Sequence, residues 1–373
     1  MIKSAQIPAF RKLVGLKHIA VLSVFFGASV IHAEPYIAMR TGFKCSQCHV
    51  NRIGGGERTL YGYAYTQYKL LLEQTENLMQ AEQGGQTTFN PKLNESVTIG
   101  GNFRVEQTFT QKYTYTDSGG SHGPGNVSQA NIKEANIYLN MELIKNFLNL
   151  YLDETMAPST QVREMYGMVR GFPLNGYIKV GHTLLPYGIR LMDDEAFIRD
   201  KTGYTYNRHD LAGEIGIEPG PVSLTANLTN NQFSSVGSVV FRHFRVGGSY
   251  GAGTTKGSNK WSSGPFVGAN FGRVTAMSEV DYIKEADVKK MAQFYELDFL
   301  PIQGFNSKVT YEYFDRNMHV ANSRDGQNRW TFGVEPFIGS FLQLGLYYRI
   351  NNAVPQDLAD NPDQFIMRAH VFF

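Results

Sequence analysis

From Ser96 to the end of the chain, apolar and polar side chains alternate with a period of two. Phe365, Met367, Ala369, Val371 and Phe373 fall on one parity, and Gln364, Arg368 and His370 on the other. Leu342, Leu344, Leu346, Tyr348 and Ile350 alternate with Gln343, Gly345, Tyr347 and Arg349. Trp330, Phe332 and Val334 alternate with Thr331, Gly333 and Glu335, and Val309, Tyr311 and Tyr313 with Lys308, Thr310, Glu312 and Phe314. Such segments, each near ten residues, suit a strand with one face in lipid and the other lining a lumen. A helix cannot use this pattern, because its faces repeat every 3.6 residues.

Fifteen segments carry the alternation, and one of them, 235–251, is too long for a single strand. Split at Arg242-His243, it gives sixteen, the even number that brings both ends of a barrel to one side. Short turns near 144–147, 173–175, 219–221, 242–243, 272–273, 300–305 and 339–340 then share that side. Longer polar loops near 111–131, 156–162, 184–210, 252–263, 316–328 and 351–363 take the other, joined by shorter ones near 230–234 and 284–289. The expected fold is mainly β: a 16-stranded antiparallel transmembrane barrel over residues 96–373. The 38 Gly, 21 Tyr and 25 Phe fit many short strands with aromatic girdles. A formal charge of +2 without a basic stripe excludes a nucleic-acid-binding role.

The first 95 residues read differently. Lys3, Arg11, Lys12 and Lys17 precede a 13-residue apolar run, Ile19 to Ile31, which ends at His32-Ala33. This is the pattern of a secretory signal peptide over 1–33, cleaved after Ala33, and the run is too short to span a bilayer. Residues 34–95 then form a small helical domain and linker. Leu60, Tyr61, Tyr65, Tyr68, Leu71 and Leu72 recur at helical spacing, helix-compatible residues continue to about Ala81, and Gly84-Gly85 and Asn90-Pro91 break the pattern.

Cys45-Ser46-Gln47-Cys48-His49 spells C-x-x-C-H and holds the only two cysteines of the chain. In an exported protein this spacing is the attachment signature of one covalent c-type haem. Cys45 and Cys48 would form the thioethers, and His49 would ligate iron from one face. A zinc site needs two more ligands, and no third cysteine exists. For the second axial position Met79 is a candidate at the end of the helical stretch, with Met39 and His370 as alternatives and an open position as a further one. Methionine there raises the potential relative to histidine. A domain this small needs a staple, which a covalent cofactor supplies. Its expected place is at or in the periplasmic mouth of the barrel, with Phe43, Tyr61, Tyr63, Tyr65 and Tyr68 packed on porphyrin or wall.

The leader, the single C-x-x-C-H and a barrel closed by a terminal Phe together resemble the outer-membrane cytochrome–porin fusions. Met39-Arg40-Thr41-Gly42-Phe43-Lys44 before the motif resembles the start of that family. Val180-Gly181-His182-Thr183-Leu184-Leu185-Pro186-Tyr187-Gly188 and Asp193-Asp194-Glu195-Ala196-Phe197-Ile198-Arg199 resemble general porin sequence. The resemblance implies an outer-membrane conduit that passes single electrons through one haem c held in or at the barrel. Its partners would be periplasmic c-type cytochromes or other electron carriers, outer-membrane lipid, and an extracellular donor or acceptor such as iron. Oxidation of Fe(II) at the cell surface would make it an Fe(II):cytochrome c-type oxidoreductase.

The alternative is a small-solute, anion-conducting porin whose haem domain is a plug, sensor or docking module. Arg104, Lys179, Lys308, Arg349 and Arg368 are candidates for its basic constriction. Asp193-Asp194-Glu195, in the longest external loop, is a candidate collector of cations.

Overall fold

The computed structural model describes residues 34–72, 90–111, 115–117, 120–122, 126–255, 258–321, 325–352 and 362–373. The leader and Met79 lie outside the described residues.

Sixteen strands close into one antiparallel barrel. They are β1 (Val97–Thr110), β2 (Val127–Ile144), β3 (Leu148–Ala157), β4 (Gln161–Phe172), β5 (Gly176–Leu184), β6 (His209–Ile217), β7 (Val222–Thr229) and β8 (Gln232–Phe241). The second half comprises β9 (Phe244–Thr255), β10 (Ser258–Phe271), β11 (Val274–Glu285), β12 (Val288–Ile302), β13 (Phe305–Asp315), β14 (Gly326–Gly339), β15 (Leu342–Asn352) and β16 (Gln364–Phe372). Neighbours in sequence are neighbours in space, and β1 pairs with β16 from Asn102↔Phe372 to Thr110↔Gln364 to shut the ring. The turn at Arg242-His243 divides β8 from β9, with Arg242 at φ +41° to make it tight.

Closure leaves no free edge, so every strand can pair its backbone inside lipid. The outward parity carries Ile178, Val180, Leu211, Ile215, Leu224, Leu228, Val246, Val267, Leu297, Phe332 and Leu346, all exposed. Tyr295, Tyr311 and Trp330 stack side by side across β12, β13 and β14 on that face, at centroid spacings of 6.2 and 4.7 Å. An apolar outer belt with aromatic rings places the barrel in a bilayer.

The inward parity is charged, and its cations are held by carboxylates. Arg163 is fully buried between Asp153 and Glu134. Lys179 lies 2.9 Å from Glu214, Lys308 2.9 Å from Glu335, and Arg368 2.6 Å from Glu106. The five expected constriction residues are therefore ion-paired wall residues: Arg104 faces Glu134 at 3.4 Å, and Arg349 holds Asp193 and Glu195. Buried cations persist only with such partners.

Two pieces of chain fill the lumen. Residues 34–72 enter from the short-turn end, with α1 (Pro35–Thr41), α2 (Cys45–Cys48) and α3 (Leu60–Lys69). They meet the wall around its circumference. Glu34 reaches Lys308 of β13 at 3.6 Å, and Asn51 donates to Glu164 of β4 at 2.8 Å. Lys44 donates to the carbonyl of Val222 on β7 at 2.8 Å. Glu57 N–H donates to the Tyr151 hydroxyl of β3 at 3.0 Å, and Leu72 N–H to Phe337 of β14 at 2.9 Å. The second piece, residues 185–208, folds in from the long-loop end and crosses to the opposite wall. Its one-turn helix α4 (Phe197–Asp200) packs on β11, β12 and β13.

Candidate functional site

α2 places Cys45 and Cys48 one turn apart, and His49 follows as its C-terminal cap. Both thiols are free and half-buried, and His49 is buried. The motif is pinned at both sides. His49 bridges to Arg58 as an isolated antiparallel pair, and Thr59 N–H donates to the Cys48 carbonyl at 3.0 Å. Gly54, Gly55 and Gly56 turn the chain back with φ of +89°, +79° and +66°, values that side chains resist. A Cβ at Gly55 would lie 3.0 Å from the Tyr206 hydroxyl, so the turn also sits against the infolded loop.

All three motif residues line one cavity between the plug and the infolded loop. Its floor is the plug, with Met39, Phe43, Tyr65 and Thr66. Its roof is the infolded loop, through Tyr187, Ile189, Arg190 and Tyr206. Arg52, Arg58, Arg190 and Arg245 also border it. Arg190 and Arg245 each keep a buried Nε without a hydrogen-bond partner. Arg58 lays its guanidinium over the Phe372 ring at 3.3 Å.

Burial, then the Arg58 charge, holds the His49 imidazole well below its ordinary value, at about 3. It is a neutral ring whose Nδ1 is buried without a hydrogen-bond partner. Burial and the neighbouring Cys45 push the Cys48 thiol up to about 11. Burial also raises the Glu57 carboxyl to about 7. It raises Glu34 to about 8 against the pull of Lys308.

These carboxyls set a pH dependence for plug seating. A carboxyl raised by burial stabilises the seated form below its ordinary value of 4.5, and that stabilisation is lost as pH climbs through about 7 and 8. His49 acts oppositely, losing its contribution as pH falls from 6.5 towards about 3. Seating is thus expected to loosen from pH 5 to pH 9, by on the order of 3 kcal/mol at most for Glu57 alone. Amide exchange over residues 50–69 measures it. The exchange rates, corrected for intrinsic chemistry, rise in the native chain and rise less in Glu57→Gln, where Glu34 alone carries the remaining dependence towards pH 8. A pH-independent profile in the native chain would refute the assignment.

Several expected site residues fall elsewhere. His370 is buried on β16, its Nε2 against Asn102 Oδ1 and its ring edge-on to Phe372, and it does not border the cavity. The carboxylates of Asp193-Asp194-Glu195 are partnered rather than free to collect cations, although Glu195 stays exposed. Arg349 pairs with Asp193 at 2.5 Å and Glu195 at 2.7 Å, Asp194 accepts from Tyr206 N–H at 2.5 Å, and Arg329 donates to the Glu195 carbonyl at 2.8 Å. Despite burial, Arg349 and Arg329 hold the Asp193 carboxyl below the usual range. The aromatic set divides. Phe43 and Tyr65 border the cavity, while Tyr63 is buried with its hydroxyl 3.2 Å from the Phe373 carbonyl. Tyr61 and Tyr68 are exposed. α3 ends at Lys69 and buries Gly62, Tyr63, Thr66 and Gln67, not the Leu60–Tyr61–Tyr68 stripe. Gly62 lies against the Cys48 carbonyl and the Tyr63 hydroxyl reaches the Phe373 carbonyl, so a residue without a side chain and one with a polar tip suit this face.

The four bordering arginines were not visible as a set in the sequence, because they come from the plug, the infolded loop and β9.

No protein-family model matches the sequence, and no curated protein matches it. Solved structures do. A loop-deletion form of OmpT, an outer-membrane protein of Vibrio cholerae, aligns with a TM-score of 0.57 at 13% identity, over 74% of this chain and 99% of that one. Salmonella typhi OmpF, in complex with daunomycin, gives 0.57 at 12%, over 74% and 97%. An anion-selective porin from Comamonas acidovorans gives 0.55 at 9%, over 74% and 99%. The chain has the fold of a porin-like outer-membrane β-barrel, closed by sixteen strands.

Proposed function

We propose that this chain is a porin-class outer-membrane barrel whose plug holds one covalent haem c, and that it passes single electrons between the outside and periplasmic carriers. The observation that carries the reading is the cavity inside the lumen onto which Cys45, Cys48 and His49 all face. The residues suit the group. Two thiols one helical turn apart match two thioether bonds. A neutral, buried imidazole with an unpartnered nitrogen suits a metal ligand. Arg58, Arg190 and Arg245, two of them with orphaned Nε atoms, suit the carboxylates that such a cofactor carries, while Arg52 is held by Glu218 at 2.6 Å. Bound there, the group supplies a one-electron couple.

The chain's own residues would do the rest. Cys45 and Cys48 fix the ring to α2, so its orientation follows that of the plug. The Arg58 bridge and the glycine turn hold His49 at the cavity wall. Met39 is a second-ligand candidate that borders the same cavity, packed with its sulfur against Gly268 of β10. The infolded loop forms the outer wall, so an external donor would approach across Tyr187, Arg190 and Tyr206.

A second reading rests on the solved relatives, which are porins and outer-membrane channels and support a small-solute channel more directly than a conduit. The plug, in contact with β3, β4, β7, β13 and β14, weighs against free diffusion. Visible spectra of the isolated outer-membrane fraction separate the two. The conduit gives a c-type haem whose Soret and α bands sharpen on adding Fe(II). A haem reduced by dithionite but indifferent to Fe(II) removes iron as the donor. A protein without a haem band leaves the porin.

A further inference from the structure

On the outer face, near the long-loop rim, three adjacent strands present Met165, His182 and His209. On β5, Lys179 and Thr183 point into the lumen, to Glu214 and Asn227, so His182 between strand neighbours of that parity points out. Met165 of β4 stands directly opposite His182, and is more than half exposed. His209 of β6 stands opposite Leu184, which makes it the diagonal neighbour of His182. The two imidazole centroids are 6.1 Å apart at 61°.

The nitrogens are arranged for ligation. His209 Nδ1 lies 2.9 Å from the Asn207 carbonyl oxygen. Donating there fixes the tautomer and leaves the Nε2 lone pair free, the usual outer-shell support of a metal-bound histidine. His182 has a buried Nδ1 without a hydrogen-bond partner. A metal about 2.0–2.1 Å from an imidazole nitrogen stands about 3.2 Å from the ring centroid, so two ligated rings lie at most about 6.4 Å apart. The observed 6.1 Å fits an open arrangement with an N–metal–N angle of about 145° at those bond lengths. Tetrahedral zinc would draw the centroids to about 5 Å and require a fuller donor set. A directly opposed side chain starts within about 5.5 Å at Cβ, which brings the Met165 thioether into reach as a third donor.

We propose that His182, His209 and Met165 form a surface site for a soft monovalent cation of copper type. Two imidazoles in an open arrangement and one thioether favour Cu(I) over Zn2+ or Fe2+. The site is independent of the plug, so it stands or falls apart from the haem reading.

Purified full-length protein is titrated anaerobically with Cu(I) against a chromophoric chelator, beside the His182→Asn/His209→Asn variant. Free Cys45 and Cys48 would also take copper, so the quantity read is the difference between the two proteins. The native chain is expected to bind one equivalent more, with X-ray absorption of that equivalent fitting two nitrogens and one sulfur. Met165→Leu is expected to weaken it about tenfold. His243→Asn, at the opposite end of the barrel, leaves it unchanged. Equal stoichiometry in native and double variant overturns the proposal, as does a lost equivalent with sulfur ligands alone. Heat-modifiable gel migration checks folding. Should the double variant fail that check, Met165→Leu, which removes only an exposed thioether, decides: unchanged affinity counts against the site.

Discussion

A chain lacking residues 34–72 conducts ions through planar bilayers on the order of tenfold or more better than the full chain, because a sixteen-stranded barrel encloses an aqueous lumen. In the full chain that lumen is occupied. Plug residues bond to β3, β4, β7, β13 and β14, so no side of the ring is left free by a single loose contact. Ion-paired wall residues such as Lys179–Glu214 and Arg368–Glu106 hold their partners within the wall, so the barrel should close without the plug. The infolded loop stays against β11–β15 through Glu279, Glu312, Arg329 and Arg349, and narrows the pore without sealing it. Single-channel recording makes the comparison. Equal conductance in both proteins would mean that ions pass beside the plug, and would move the balance to the small-solute porin. Matched-salt gradients then give the selectivity of the emptied lumen. Since the candidate constriction cations are neutralised in place, weak anion preference is expected.

The strands were legible because their signal is local. Alternation of Leu342 to Ile350 against Gln343 to Arg349 requires only that one face meet lipid, and the 235–251 segment could be divided from its length, its Arg242-His243 pair and the even strand number together. What fills the lumen was less legible, because its contacts join residues far apart in sequence. Inward Phe266, Phe294, Phe314, Phe337 and Phe372 break the polar-in rule, and they are the positions that pack against plug and loop. Read as a set, these inward aromatics mark a filled barrel. Asp193-Asp194-Glu195 misled for the same reason. A charged tripeptide looks unpartnered until Arg329 and Arg349, more than a hundred residues later, are seen to hold it against the wall. The C-x-x-C-H motif is a local pattern of five residues, and what the fold adds to it is the cavity that Cys45, Cys48 and His49 line.

Cys45→Ala/Cys48→Ala is expected to abolish covalent haem staining in denaturing gels and to remove the Soret band from the purified protein, while heat-modifiable migration of the barrel persists. The two thiols sit in α2, which makes no strand pairing, and no disulfide joins them, so their loss leaves the wall intact. The plug is affected more than the barrel. With the cofactor gone, the cavity beside His49 keeps the orphaned nitrogens of His49, Arg190 and Arg245, each a desolvation cost of about 1–3 kcal/mol if water does not reach it. Faster amide exchange is therefore expected over residues 45–69 in the double variant, with β1–β16 unchanged. Single variants separate attachment from ligation. His49→Ala, if it retains stain, should show an altered spin state, because the thioethers remain but the proximal nitrogen is lost. Should the native chain itself carry no stain when made with a functioning haem-attachment system, the conduit fails at its first step. The plugged porin would then be the reading left, with the cavity between α2 and the infolded loop open to another anionic ligand for Arg58, Arg190 and Arg245.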